Sequence, residues 1–366
     1  MKKLLKSVGL SVLLGLVAAV TVLLIKPELG GIPELSRDRL FTRAMRAISV
    51  TGPVSYRDAV EKAAPAVVSI ATSSSSQQSN ANLPLPQRTR NLLEGSGVIV
   101  DPQGYILTNH HVIKDADLLL ITLRDGREGV ARVVGTDPES DLAVLKTDLP
   151  ELPYLDPQDS EAEIGDVVLA IGNPFGLGQT VTMGIISATG RNDLQLNTYE
   201  DFIQTDAAIN IGNSGGALVN AYGDLVGIST LLFTRGGGSE GVGFVIPSSM
   251  ARFVMDSIIK HGRVIRGWLG IESQPLSSAL AHAYGVNPNI GIVITGVYAD
   301  GPADRAGLRR GDILTGVNGQ STRDGRKVMN MVARIPPGQA MTMQVLRDGQ
   351  RIELTTQTAT RPTIVN

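Results

Sequence analysis

From residue 95 onward the apolar positions come in short runs, with a turn signal about every ten residues. GSGVIVD, ILTNHHVI, DLAVLKTD, VVLAIG and TVTMGIISAT each read as a strand. LLLITLRDGREGVARVVGTD reads as a hairpin about Asp125-Gly126. AVVSIA, over 66–71, is a further strand upstream. Short strands with no helical pattern between them predict an all-β barrel or sandwich. The stretch 204–229 continues this as loop, strand, turn, strand, and GVGFVIP closes the β region. Ser248–His261 then switches to a helical pattern, with Ser248 or Ser249 as N-cap and Gly262 at its end, and marks a domain boundary. Beyond it, residues 266–360 hold strands, a short helix stopped at Gly307, and a helix over Gly325–Ile335 with Val328, Met329 and Val332 on one face. About 95 residues suit one small α+β domain.

The N-terminus is patterned differently. Ser7 to Ile25 is apolar and uncharged. Such a run spans about 28 Å as a helix, close to the hydrocarbon thickness. It is longer than a typical signal core, and no clean small-x-small cleavage site precedes Lys26-Pro27. Residues 1–28 are therefore expected to be an uncleaved transmembrane signal anchor and 29–54 a tether. Basic residues flank the span on both sides, so counting them leaves orientation open. Asp58–Ala64 is a short helical entry to residues 55–262, the first folded domain. The polar segment over 73–91 is expected to be a surface loop inside it.

Composition changes little except by exclusion. The net charge of −2 gives no electrostatic case for nucleic acid. With no cysteine there is no thiol nucleophile, disulfide or thiolate zinc site.

The chemistry centres on Gly212-Asn213-Ser214-Gly215-Gly216. Glycine permits a sharp turn that exposes the serine hydroxyl, and the same turn can aim the Gly212 and Ser214 amides at one point, as an oxyanion hole requires. A glycine-rich turn with a capping serine is the plain alternative. A nucleophilic serine needs a base and an acid that orients it. Four histidines exist: His261 ends the boundary helix, His282 lies in a polar segment, and His110 and His111 are adjacent in a predicted strand, hence on opposite faces. Adjacent strand histidines make poor co-ligands and no further His or Cys cluster lies near, so no metal is expected; no cofactor is expected either. Asp141 opens DLAVLK, and Asp137 competes with it for the acid role. The order His, Asp, Ser across a β domain suits a chymotrypsin-like double barrel.

TNHHV at 108–112, DLAVLK at 141–146 and GNSGGALVN at 212–220, followed by RGWLGI, resemble the HtrA family of serine proteases. The resemblance covers roughly 55–360. It implies a mainly β fold: a chymotrypsin-like double β-barrel over 55–262, then a small α+β PDZ domain over 266–360. It selects His111, Asp141 and Ser214 as catalytic residues, with the Gly212 and Ser214 amides as oxyanion hole. In the PDZ domain it points to a carboxylate-binding loop, Leu269-Gly270-Ile271 after Trp268, with Met329 and Val332 lining the pocket. One PDZ domain behind an anchor is similar to the DegS/AlgW branch. That branch implies a single-pass protein of the bacterial inner membrane, with both folded domains in the periplasm. It also implies a homotrimer whose PDZ domain binds C-termini of misfolded outer-membrane proteins, so that an anti-sigma factor is cut and an envelope-stress response starts. Arg191 falls where the family relays activation from PDZ to active site; a solvated surface arginine is the plain alternative.

Overall fold

The computed structural model describes residues 55–73, 93–158, 162–173, 178–210, 212–232, 241–288 and 290–362. The expected anchor and tether, and nearly all of the polar loop over 73–91, lie outside them. Among the described residues no helix is long and apolar enough to cross a membrane.

Helix α1 (Arg57–Ala63) and a 3-10 turn (Ala64–Ala66) lead into six strands: β1 (Val67–Ser73), β2 (Leu93–Ile99), β3 (Tyr105–Asn109), β4 (Leu118–Thr122), β5 (Glu128–Asp137) and β6 (Leu142–Thr147). They close a barrel in the order β1-β2-β3-β6-β5-β4, and α2 (His110–Ile113) follows β3. A second closed barrel, ordered β10-β11-β12-β9-β8-β7, holds β7 (Val167–Gly172), β8 (Thr180–Arg191), β9 (Phe202–Thr205), β10 (Ala217–Asn220), β11 (Leu225–Leu232) and β12 (Gly243–Pro247). All neighbouring strands pair antiparallel, as the hairpin signals require.

The continuous apolar runs have a simple cause. Alternate positions such as Val68, Ile70, Ile106 and Leu145 fill the first barrel, while their neighbours Val67, Leu107 and Val144 face outward onto the second. There they meet Leu169, Ile171, Ala217 and Val219. A strand buried on both faces cannot alternate apolar with polar residues. Helix α3 (Ser248–His261) covers the seam with Met250, Ala251, Val254 and Ile258, spaced for one helical face. Full burial of each Val or Ile there contributes about 1.5–3 kcal/mol. Gly262 ends the helix in the left-handed conformation (φ 72°), its amide donating to Ile258 at 2.7 Å. The expected serine cap is not used: Pro247 holds the N-cap position, and the Ser248 hydroxyl donates to the Gln158 carbonyl.

The C-terminal part carries β13 (Gly267–Trp268), β14 (Ile271–Pro275), β15 (Ile292–Val297), β16 (Ile313–Val317), β17 (Gln320–Ser321), β18 (Ala340–Arg347), β19 (Gln350–Gln357) and β20 (Ala359–Thr360). Its sheet runs β14-β15-β16-β18-β19, β17 pairs β16, and β13 pairs β20. Helices α4 (Ser278–Ala283), α5 (Pro302–Arg305) and α6 (Gly325–Arg334) complete it. Val328 and Val332 of α6 share a core with Leu269, Ile292, Leu314 and Met343.

Candidate active site

The two histidines are not in a strand. β3 stops at Asn109, and His110 and His111 open the single turn of α2. Asp141 causes this. Its carbonyl accepts from the His110 amide at 3.1 Å and from Asn109 Nδ2 at 3.1 Å, and its Oδ1 accepts from the His111 amide at 3.0 Å. Val112 and Ile113 then pack into the first barrel. The result turns the exposed His111 ring back onto the same aspartate, with Nδ1 at 2.7 Å from Oδ2. Asp141 is itself in the left-handed region (φ 58°), which Asp tolerates better than most residues. The buried Thr230 hydroxyl donates to the same Oδ2 at 2.9 Å. One carboxylate therefore accepts from the imidazole, an amide and a hydroxyl.

Asp137 is committed elsewhere. Its carboxylate receives Arg266 Nη1 at 3.0 Å, and also Arg266 Nη2 and the Ser140 hydroxyl. Of the two candidate acids, the fold brings Asp141 to His111.

Ser214 enters from the second barrel. Its hydroxyl donates to the Thr230 carbonyl at 2.9 Å. Gly212 has φ 99° and Gly215 φ 82°. The turn sits hard against the first barrel: a Cβ on Gly215 would stand 2.1 Å from the Ser96 carbonyl and 2.4 Å from Thr108 Oγ1. Ser96 itself donates its amide to the Ser214 carbonyl at 2.8 Å and its hydroxyl to the Gly212 carbonyl at 2.7 Å. Among bonds between described residues, neither the Gly212 nor the Ser214 amide has an acceptor. Two donors beside a serine, with a carboxylate-held imidazole on the facing barrel, can stabilise an oxyanion while a proton moves.

A separate cavity of about 1190 Å³ runs along the C-terminal domain between β14 and α6, and the loop after Arg191 forms its other wall. Trp268, Leu269, Gly270, Ile271, Met329 and Val332 all line it. Gly270 has φ 78°, and the Trp268 ring lies where its Cβ would be, 3.0 Å away. The Leu269 and Gly270 amides have no acceptor among the described residues, while the carbonyls of both are tied down by Ala303 and Tyr298 amides at 3.0 Å. This is a backbone cradle suited to an anionic terminus above an apolar pocket.

The protease-side wall is docked onto α6. Buried Glu200 accepts from the Leu194 and Asn197 amides at 3.0 Å each, and Arg326 Nη1 lies 3.6 Å from it. Asn330 Nδ2 donates to the Glu200 carbonyl at 2.7 Å, and Asn192 Nδ2 to Asp324. Nearby, the Arg266 guanidinium stacks 4.1 Å from the Tyr199 ring, and burial pushes the Tyr199 phenol up, keeping it neutral. Arg191 itself is exposed at the end of β8, with Nε on Gln204 Oε1 at 3.1 Å; it touches neither Ser214 nor the groove.

Sequence reasoning missed Ser96, Thr230, Asn173 and Glu200. For Ser96 a signal existed in Gly95-Ser96-Gly97, a small residue between glycines within an apolar strand. For Thr230 and Glu200 there was none. Among the described residues no group of three His, Asp or Glu could hold a metal.

A trypsin-like peptidase domain profile matches residues 95–228, and a PDZ domain profile matches 293–347. Serine endoprotease DegS of Escherichia coli K12 is 43% identical over 94% of this chain and 95% of its own length. A solved structure, the HtrA-type protease AlgW with a tripeptide, is 54% identical, covers 84% of this chain and 98% of that one, and superposes with TM-score 0.72. A probable periplasmic DegP-like serine endoprotease of Chlamydia trachomatis is 44% identical over 76% of this chain; the chain spans only 56% of that relative's length. With a double six-stranded barrel, a PDZ domain and relatives of this similarity, the chain belongs to the HtrA family of serine endoproteases, of the DegS/AlgW type.

Proposed function

We propose that this chain is a periplasmic serine endopeptidase with Ser214 as nucleophile, His111 as general base and Asp141 as orienting acid. The observation that carries it is the 2.7 Å His111 Nδ1–Asp141 Oδ2 contact, joined through Thr230 to Ser214, where the Gly212 and Ser214 amides have no acceptor among the described residues. Ser214 Oγ leaves the Thr230 carbonyl, gives its proton to His111 Nε2 and attacks the scissile carbonyl. The oxyanion is held by the Gly212 and Ser214 amides. His111 then protonates the leaving amine, and water repeats the sequence to release the acyl group. Asp141 fixes the tautomer with Nδ1–H and stabilises the imidazolium.

The same reading divides the chain into an anchor (1–28), a tether (29–54), the protease domain (55–262) and the PDZ domain (266–360). Residues 7–25 hold it in the bacterial inner membrane as a single span. The groove takes C-terminal peptides of misfolded outer-membrane proteins, a reading supported by the cradle over Leu269–Ile271 and by a relative solved with a tripeptide. The substrate is an anti-sigma factor, and cleavage starts an envelope-stress response. The Ile211–Asn213 turn is where the switch acts, with Arg191 in the relay. An apolar stripe on the outer face of the second barrel, Ile164, Val181, Met183 and Ile185, each 38–68% exposed, supports assembly into a homotrimer. The 44% identity to a DegP-like relative favours a second reading, broad quality-control proteolysis.

The test is cleavage of a periplasmic anti-sigma domain with and without a C-terminal peptide library, alongside fluorophosphonate labelling. Peptide-stimulated cleavage and labelled Ser214 are expected. Peptide-independent digestion of unfolded proteins moves the reading to quality control. An unlabelled serine in folded, peptide-binding protein sinks the protease reading and leaves a PDZ adaptor.

A further inference from the structure

Three consecutive peptide units around the nucleophile are held at their polar ends. In the 212–213 unit the Gly212 carbonyl accepts from the Ser96 hydroxyl at 2.7 Å, and the Asn213 amide donates to the Asn210 carbonyl at 3.0 Å. In the 213–214 unit the Asn213 carbonyl accepts from the Gly216 amide at 2.9 Å. In the 214–215 unit the Ser214 carbonyl accepts from the Ser96 amide at 2.8 Å, and the Gly215 amide donates to the Ser229 carbonyl at 2.8 Å. A peptide unit is planar, so fixing a carbonyl fixes the direction of the amide across it. The direction of the Ser214 amide is therefore set. The Gly212 amide belongs to the preceding unit, and only rotation about Gly212 connects it to the pinned carbonyl. Glycine offers the least resistance to that rotation.

Ser96 supplies two of these five bonds, and it does so from the other barrel. It is fully buried (0% exposed) on β2. Its hydroxyl is satisfied as acceptor too, by the Asn173 amide at 2.9 Å, and its carbonyl accepts from Thr108 Oγ1 at 2.7 Å. The hydroxyl's orientation is thus determined: hydrogen toward Gly212, lone pair toward Asn173.

We propose that Ser96 is a positioning residue for the oxyanion site, its hydroxyl holding the Gly212 carbonyl inward so that the Gly212 amide can face the developing oxyanion. It rests on the protease reading and names a residue that reading does not require. Ser96 touches no substrate atom and acts through Gly212. Losing the hydroxyl removes the only side-chain bond on the Gly212 carbonyl among the described residues and frees the turn where an amide must be aimed. The consequence belongs to the transition state, because the ground-state carbonyl gains little from an oxyanion donor.

The experiment compares purified full-length wild type, Ser96→Ala, and Ile121→Val, a core truncation inside the same barrel, at one concentration of stimulating peptide. Ser96→Ala is expected to lower kcat about 10–100-fold, below the full loss of a donor, with KM within about 2-fold. A peptide boronate, whose tetrahedral adduct places an oxygen at the same point, should bind weaker by the same factor as kcat. Ile121→Val should lower Tm and keep both parameters. If Ser96→Ala does not fold, Ser96→Cys, a near isostere with a weak donor, carries the same comparison. A kcat loss that only follows Tm, a rise in KM with kcat intact, or unchanged boronate affinity overturns the proposal. Wild type that neither cleaves nor takes a fluorophosphonate label overturns the protease reading instead.

Discussion

In the proposed reading, two glycine-centred loops in this chain share one task, presenting backbone amides to an anionic oxygen. Gly212 (φ 99°) does so beside the nucleophile, Gly270 (φ 78°) at the head of the peptide groove. They differ in what holds them. The Gly270 loop is fixed locally, by Tyr298 and Ala303 amides on its carbonyls and by the Trp268 ring, which packs edge-on against Tyr298 at 5.6 Å. The Gly212 loop, besides bonds from its own barrel, has its Gly212 carbonyl held by Ser96, 116 residues upstream and in another barrel. The peptide cradle therefore forms with its own domain, whereas the oxyanion cradle forms only when two barrels dock. On the proposed reading, catalysis is then the more fragile of the two functions, and a switch would need to act only on the docked turn.

Predictions that break or sharpen this contrast run from large to small. Ser214→Ala should reduce cleavage by about 10⁶-fold, as removal of a triad serine does, with the Kd for a C-terminal peptide unchanged by fluorescence polarisation. Residual peptide-stimulated cleavage, or lost binding, breaks the separation. Asp141→Asn should cost about 10⁴-fold in kcat, because the amide selects the wrong imidazole tautomer; a loss below about 100-fold would remove Asp141 from its role. Gly215→Ala places a methyl 2.1 Å from the Ser96 carbonyl at φ 82°. A destabilisation of about 2–4 kcal/mol, read by denaturant titration, should accompany loss of activity; an active, equally stable variant would show that barrel docking at this point is dispensable. Gly270→Ala meets a ring edge 3.0 Å away at φ 78°, and the left-handed cost of about 1–2 kcal/mol should weaken peptide binding about 10-fold in titration calorimetry. An effect matching that of Gly215→Ala would erase the difference between the loops.

The smallest effect concerns Asp201, where the protease domain meets α6. Burial raises its carboxyl above the usual range, and Arg334, at 3.7 Å, and Lys327 only partly offset this. A folded-state value above the unfolded one means that its contribution is full below the unfolded pKa and is lost as pH rises through the folded pKa. Asp201→Asn should therefore flatten the stability profile between pH 4 and neutrality, the difference moving in the variant's favour as pH rises. A steeper acid-side slope in the variant, followed by thermal melting, contradicts that sign.

Much of the fold was legible because strands buried on both faces leave apolar runs, and Asp125-Gly126 and Asp348-Gly349 mark hairpin turns between paired strands. The error at His110-His111 is instructive. Periodicity continues the strand, but the Asp141 side chain and carbonyl, thirty residues on, capture the two amides and start a helical turn. The serine cap expected for α3 failed for a similar reason, since Ser248 found a carbonyl on another segment. Choosing Asp141 over Asp137 needed either a family resemblance or the position of Arg266, which takes Asp137 out of reach.

By itself the sequence determined the strand runs, the domain order and the types of residue available: serines among glycines, four histidines, no thiol. These follow from local rules, in which burial sets periodicity and glycine sets turns. Only the tertiary structure decided the contact of Asp141 with His111, that Thr230 joins the same carboxylate, and that Ser96 grips the turn at Ser214. Those contacts join residues 30, 89 and 116 positions apart. No local pattern encodes them, because a hydrogen bond between distant strand ends or across two docked barrels depends on where the strands and barrels meet and not on the neighbours of either partner in the chain.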